Sequence, residues 1–289
     1  MDQGAATGAI TKLLASGPLA WIVRIGYVAR GILFLIIGGF ALLAAGGLGA
    51  HPRGTRDALE FVFQEPFGGY FLWTLAAGLS CFACWRFLQS VFDVDRYGSS
   101  LYGLTRRCVL AASGLFYIAL TVATAHITVE QRRMGEDQAA REWTSWLMKQ
   151  PLGRGLIALI ATGFVGVAIG LAVNAFRSPY MASGSMQGRR SLALTLTLGS
   201  FGTLTRALLF LLLGGFLGAA AYDSNSEEAA SLAGVLRAMQ SQPYGGVLLG
   251  IAALGLIAFG CFEVIEAATR TRAAKLLRGA PSKSNVSRR

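Results

Sequence analysis

Six stretches of this chain contain no Asp, Glu, Lys or Arg: residues 31–50, 66–85, 108–129, 155–176, 207–222 and 238–262. A helix needs roughly 20 apolar residues to cross the hydrocarbon of a bilayer. Backbone N–H and C=O groups in lipid must be satisfied within the segment itself, so such a run folds as a helix. Only 207–222 is short, and it borrows a turn across Arg206, whose long side chain can reach the headgroups. Composition agrees. Charged residues make up 14% of the 289 residues and hydrophobic ones 54%, against about 25% charged in ordinary soluble domains. The expected fold class is an all-α integral membrane protein with six transmembrane helices.

Basic residues give the orientation. The segment through Arg30, the 86–107 loop, the 177–206 loop and the tail from Arg270 hold 18 of the 26 Lys and Arg residues. By the positive-inside rule these face the cytoplasm, which places both termini there. The formal charge of +11 thus reads as a topology signal, and no nucleic-acid partner is expected. No signal peptide is expected either. Asp2 and Lys12 lie in the first twelve residues, and the apolar 13–23 is broken by Gly17-Pro18.

The chain repeats itself three times. Gln64-Glu65-Pro66-Phe67-Gly68-Gly69 returns as Lys149-Gln150-Pro151-Leu152-Gly153-Arg154 and as Ser241-Gln242-Pro243-Tyr244-Gly245-Gly246. Arg30, Arg106 and Arg206 open the outgoing helices. Behind Arg30 and Arg206 the pattern Leu, Phe, Leu, Gly-Gly, Phe coincides at a shift of 176 residues. The expected organisation is a cytoplasmic segment 1–20, repeats 21–95, 96–180 and 201–269 of two spans each, a linker 181–200 and a basic tail 270–289. Three two-helix repeats of equal orientation imply a pseudo-threefold arrangement.

Between the spans of each repeat lies a short amphipathic stretch. Leu59, Val62 and Phe63 share one helical face, as do Trp143, Trp146 and Leu147, and Leu232, Val235, Leu236 and Met239. Two readings stand: interfacial helices on the membrane surface, or helices packed onto the span ends. Pro66, Pro151 and Pro243 suit the first turn of the returning helices, with the following glycines allowing a tight bend. Gly78, Gly163 and Gly255 each lie twelve residues past their proline, where small residues let helix backbones approach. The stretch 191–205 reads as an interfacial segment or an extension of the fifth helix.

Polar side chains at membrane depth are costly and mark functional candidates. Gln89, Asn174 and Glu266 all fall 23 residues past their prolines; Glu263 is one turn earlier, and Arg86 is its counterpart in repeat one. With Arg30, Arg106 and Arg206 they form a candidate cytoplasmic-side polar network, in which Arg206 is expected to pair Glu266 or Glu263; the favoured alternative is snorkelling arginines and ordinary helix-end hydrogen bonds. No catalytic or metal-binding constellation is expected. His51 and His126 have no ligand set, and Cys81 and Cys84 form a C-x-x-C inside a span, where small apolar roles are expected. No cofactor is expected.

The Gly-Tyr-Val-Ala-Arg-Gly helix, repeated with two spans per repeat, resembles the bacterial membrane family catalogued as domain of unknown function 1206. The likeness covers residues 21–272, is best over 24–40 and is weakest in repeat two. It implies fold and location, the bacterial inner membrane, and carries no activity. The function expected is a non-enzymatic scaffold or accessory subunit whose partners are the lipid bilayer and a membrane protein or a second copy. The alternative is a small-solute or ion transporter or channel along the threefold axis.

Overall fold

The computed structural model describes residues 18–47, 51–95, 97–130, 136–177 and 189–279. Among them are nine α-helices. They are α1 (Pro18–Ala45), α2 (Thr55–Gln64), α3 (Gly68–Phe92), α4 (Leu101–Glu130), α5 (Glu136–Met148), α6 (Gly153–Arg177), α7 (Arg189–Asp223), α8 (Leu232–Gln240) and α9 (Gly245–Gly279). Six contain segments long and apolar enough to cross a membrane: Ala20–Ala45, Gly68–Phe92, Leu101–Val129, Gly153–Phe176, Thr197–Asp223 and Gly245–Ala268. Each repeat is therefore a long, a short and a long helix. Boundaries shift in repeat three. Helix α7 begins inside the expected linker and absorbs 191–205, and α9 continues into the expected tail as far as Gly279. Leu recurs through 191–205 and Ala and Leu through 270–279, and no proline interrupts either stretch.

The three proline turns are copies of one another. The N–H of Gly68 donates to Glu65 O at 2.8 Å, that of Gly153 to Gln150 O at 2.9 Å and that of Gly245 to Gln242 O at 2.8 Å. Each closes a four-residue turn with proline second, the type II pattern, whose third position has positive φ and favours glycine. The third residues are Phe67, Leu152 and Tyr244, with φ of 65°, 64° and 63°. A bulky residue in left-handed geometry costs about 1–2 kcal/mol. The bend thus falls one residue before the glycine expected to make it, and the prolines stand two residues outside the helices. The glycines are needed for close approach: a Cβ on Gly68, Gly153 or Gly245 would strike the carbonyl of Val62, Leu147 or Gln240.

The short helices differ in what they cover. Helix α2 buries Ala58 and Leu59, and α8 buries Ala233, Val235 and Leu236, so these two pack on protein. Phe61 meets Phe40 edge-on at 5.1 Å, with the Arg53 guanidinium 4.0 Å from the Phe61 ring. Helix α5 instead exposes Trp143 and Trp146.

The chain divides into two compact units. One gathers Met1–Arg30, Ala76–Thr121 and Glu263–Arg289; the other gathers Gly31–Leu75 and Val122–Phe262. In the first, Phe82 is the centre: it is fully buried, with Tyr27 edge-on at 5.3 Å and Tyr117 at 4.7 Å. Here Gly78 lies against Ala29, and a Cβ on Gly26 would sit 2.7 Å from Phe82 N. In the second unit, Leu33, Ile37, Leu72, Leu249 and Leu256 are buried core residues. Gly255 lies against Thr205, and a Cβ on Gly202 would sit 2.6 Å from the Phe259 backbone. These two sets of contacts match at the repeat shift. Gly78 and Gly255 are therefore seam residues between the two long helices of one repeat. Gly163 departs from them: it has nothing within 4 Å of a built Cβ and is exposed.

Candidate functional site

Arg30 and Glu263 form a buried ion pair, each 3% exposed. Arg30 Nη1 donates to Glu263 Oε1 at 2.9 Å, and Nε donates to the Tyr117 hydroxyl at 2.6 Å. The guanidinium carbon lies 4.8 Å from the Phe82 ring centre and 5.6 Å from that of Tyr117, distances suited to cation–π attraction. Helices α1, α3, α4 and α9, drawn from all three repeats, thus meet around one guanidinium. Burying a charge without a partner is expensive, and the mutual attraction of the pair offsets that cost only while both members are present.

A second arginine uses the same ring. Arg86 lies 4.8 Å from Phe82 and donates through Nη1 to Gln89 Oε1 at 3.2 Å. Gln89 Nε2 in turn donates to Asp95 Oδ2 at 3.0 Å. Beyond it, burial and the Asp95 carboxylate push the Tyr97 hydroxyl above its ordinary range. Arg107 closes the end of α3, donating to Ser90 O at 2.7 Å and Val91 O at 3.1 Å, a basic residue where helix carbonyls are left over.

Arg106 donates to the hydroxyl of Tyr102, one turn away on its own helix, at 3.0 Å. Arg206 is set among aromatic faces, 4.3 Å from Phe259, 5.3 Å from Phe34 and 5.5 Å from Phe210. Asn174 is exposed on α6 and Glu266 half-buried on α9. The sequence aims Arg206 at Glu263 or Glu266; in the structure the Glu263 carboxylate accepts from Arg30, where Tyr117 and Phe82 complete the shell.

A second polar cluster, in the other unit, was not foreseen. The Glu136 carboxylate at the start of α5 accepts the N–H of Arg56 at 2.9 Å, while the N–H of Glu136 donates to Asp57 Oδ1 at 3.2 Å. Carboxylates at helix starts are favoured by the unsatisfied N–H groups there. Gly54 makes the room, since a Cβ on it would strike this carboxylate. Burial, with the charges of Asp57 and Asp137, pushes the Glu136 carboxyl up to about 7 against the pull of its N–H donors. Its neighbour Asp137 accepts from the Ser231 backbone N–H at 3.0 Å, from the Ser231 hydroxyl and from Arg237. Burial raises Asp137, but these donors outweigh it and hold the carboxyl below its ordinary value. One acidic pair on α5 therefore ties together the starts of α2 and α8.

The long–short–long unit recurs in known sequences. The profile of the Domain of Unknown Function family DUF1206 matches three times, at residues 25–93, 109–178 and 201–270. The chain belongs to the DUF1206 family. The three matches fall on the three repeats, and repeat two is matched only from residue 109, past Arg106. A similar protein is the uncharacterized protein YxxB of Bacillus subtilis (strain 168), 27% identical over 245 residues, which are 84% of this chain and 88% of that one. No solved structure matches.

Within this DUF1206 chain, the residues that sequence reasoning missed had one usable signal. Phe82 and Phe259 occupy the same place past their prolines, one turn before Arg86 and Glu263. Each lies under the arginine of its own repeat, Arg30 or Arg206. An aromatic at matching depth on a returning helix marks the arginine's seat.

Proposed function

We propose that this is a multi-pass protein of the bacterial cytoplasmic membrane, with both termini inside, that acts as a non-enzymatic scaffold or accessory subunit. The observation that carries the reading is the burial of a charge pair between helices. Arg30 donates through Nη1 to Glu263 and through Nε to Tyr117 and lies over the ring of Phe82, residues of all three repeats. The pair thereby joins helices rather than presenting a reactive group.

The repeats are proposed to stand around a pseudo-threefold axis, and equivalent glycine contacts support this. A Cβ on Gly38 of repeat one would lie 2.8 Å from Ile257 and 3.0 Å from Ala253 O of repeat three. One on Gly214 of repeat three would lie 3.0 Å from Val165 and from Ala161 O of repeat two. Ala253 and Ala161, and Ile257 and Val165, are equidistant from their prolines. A Cβ on Gly114 of repeat two would lie 2.9 Å from Phe87 on a returning helix of repeat one, seven residues or more beyond the positions that match Ala253 and Ile257.

Transport along the proposed axis is the second reading, favoured by one observation: a buried ionisable pair lies within two of the candidate spans, Ala20–Ala45 and Gly245–Ala268. The test is single-cysteine labelling near Gly78 and Gly255, in a variant lacking the four native cysteines, with a water-soluble thiol reagent added from either side. Protection at both sites, with a partner retained on purification, is the expected result. Labelling at both would sink the scaffold reading in favour of a water-filled path.

A further inference from the structure

The three residues that take the strained third position of the proline turns share a second property. Phe67, Leu152 and Tyr244 are 81%, 86% and 86% exposed. Glycine is the residue that geometry prefers, yet each repeat carries a large apolar side chain there and packs it against nothing. Strain held at three equivalent points, with no internal contact to offset it, points to an external one.

What covers them follows from what continues them. Phe67 leads into exposed Tyr70, Phe71 and Trp73; Leu152 into exposed Leu156, Leu159 and Ile160; Tyr244 into exposed Val247, Leu248 and Ile251. The spacing of three and four residues makes each series one apolar face of a returning helix. The candidate spans begin at Gly68, Gly153 and Gly245, the very next residue in each case. The medium that covers the span therefore reaches the turn residue at its edge.

We propose that Phe67, Leu152 and Tyr244 are three bilayer anchors, whose side chains enter the boundary between headgroups and acyl chains. This rests on the reading of the six helices as membrane spans. The left-handed turn swings the side chain off the helix and out to the lipid, where the ring of Tyr244 can keep its hydroxyl among the headgroups. Lipid contact at three equivalent points fixes the depth of the turns, and with it the height of the short helices that end at them. A glycine would make the same turn without strain and without the anchor.

The test places single nitroxide-labelled cysteines at 67, 152 and 244, in a variant lacking the native cysteines, within vesicles of phosphatidylethanolamine and phosphatidylglycerol. Collisions with oxygen are compared with collisions with a water-soluble nickel chelate. Oxygen dominance at a shallow depth, alike at all three sites, is the expected result. Nickel dominance would place the side chains in water, and low access to both reagents would place them against protein; either overturns the proposal. A label replacing Leu159 separates the two premises, because nickel access there overturns the span reading itself. Hydroxyl-radical footprinting of the unmodified protein in the same vesicles needs no variant. Phe67 and Tyr244 should be protected relative to the same residues in free peptides, and oxidation at the peptide rate overturns the anchor.

Discussion

Repeats one and three hold their long helices together in the same way, and repeat two is built differently. In the first pair, a glycine on the outgoing helix (Gly26 or Gly202) receives a phenylalanine of the returning helix (Phe82 or Phe259), and a returning glycine (Gly78 or Gly255) receives Ala29 or Thr205. In repeat two the corresponding positions are Tyr102 and Val167, and Gly163 faces open space. Its arginine turns to its own helix, at Tyr102. Yet repeat two supplies Glu136 and Asp137, which grip the short helices of the other two. The copy without the glycine–phenylalanine pair carries the clamp. Divergence within a repeat protein here is a division of labour between the two ends of the unit.

The sharpest break of that comparison is at the charge pair. Glu263→Ala leaves Arg30 buried without its carboxylate and should cost about 3–5 kcal/mol, read as a fall in the unfolding midpoint in detergent. Arg106→Ala should cost under about 1 kcal/mol, as exposed charges do. Equal losses for the two would remove the distinction between the repeats. The double change Arg30→Met with Glu263→Met should recover most of the loss.

The seam comes next. Gly255→Leu and Gly26→Leu force a side chain into a filled contact, at about 1–3 kcal/mol each. Gly163→Leu should be close to neutral. A matching loss at Gly163 would mean that repeat two keeps a seam of its own.

The clamp should show in pH. Glu136 ionises at about 7 when folded, against an ordinary 4.5, so the folded state holds the extra proton between those values. Stability therefore falls as pH rises through that window. Glu136→Gln should flatten the slope while keeping an acceptor for Arg56 N–H. Asp137, held below its ordinary value, works in the opposite sense and only in stronger acid. A slope that survives Glu136→Gln would assign it elsewhere. The smallest effect is expected at the turn, where Tyr244→Gly relieves left-handed strain and should raise stability in detergent by up to about 1 kcal/mol, read as a higher unfolding midpoint.

Much of this was legible from residue order. Uncharged runs gave the six long helices, and equal spacing from Pro66, Pro151 and Pro243 gave the repeats. Depth along a helix can be counted. Its rotation about its axis cannot, because each residue turns the face by about 100°. That is why the depth of Glu263 was readable while its choice of Arg30 was not. The turn was misread by one residue because Gly68-Gly69 and Gly245-Gly246 advertise the flexible position, whereas the strained residues precede them. Glu136 gave no sign because its partners, Arg56 and Asp57, lie some 80 residues away in sequence and Arg56 offers only its backbone N–H.

The length of the third repeat has a mechanical consequence. Helices α7 and α9 have 35 residues each, about 52 Å at 1.5 Å per residue, against a hydrocarbon thickness near 30 Å. Their span segments start at Thr197 and stop at Ala268, so each rod carries a stiff stub past its span. An unbroken α-helix conducts torsion along its length. A protein that grasped either stub would hold a lever arm on the glycine seam at Gly202 and Gly255, and could loosen or tighten that seam from beyond the span.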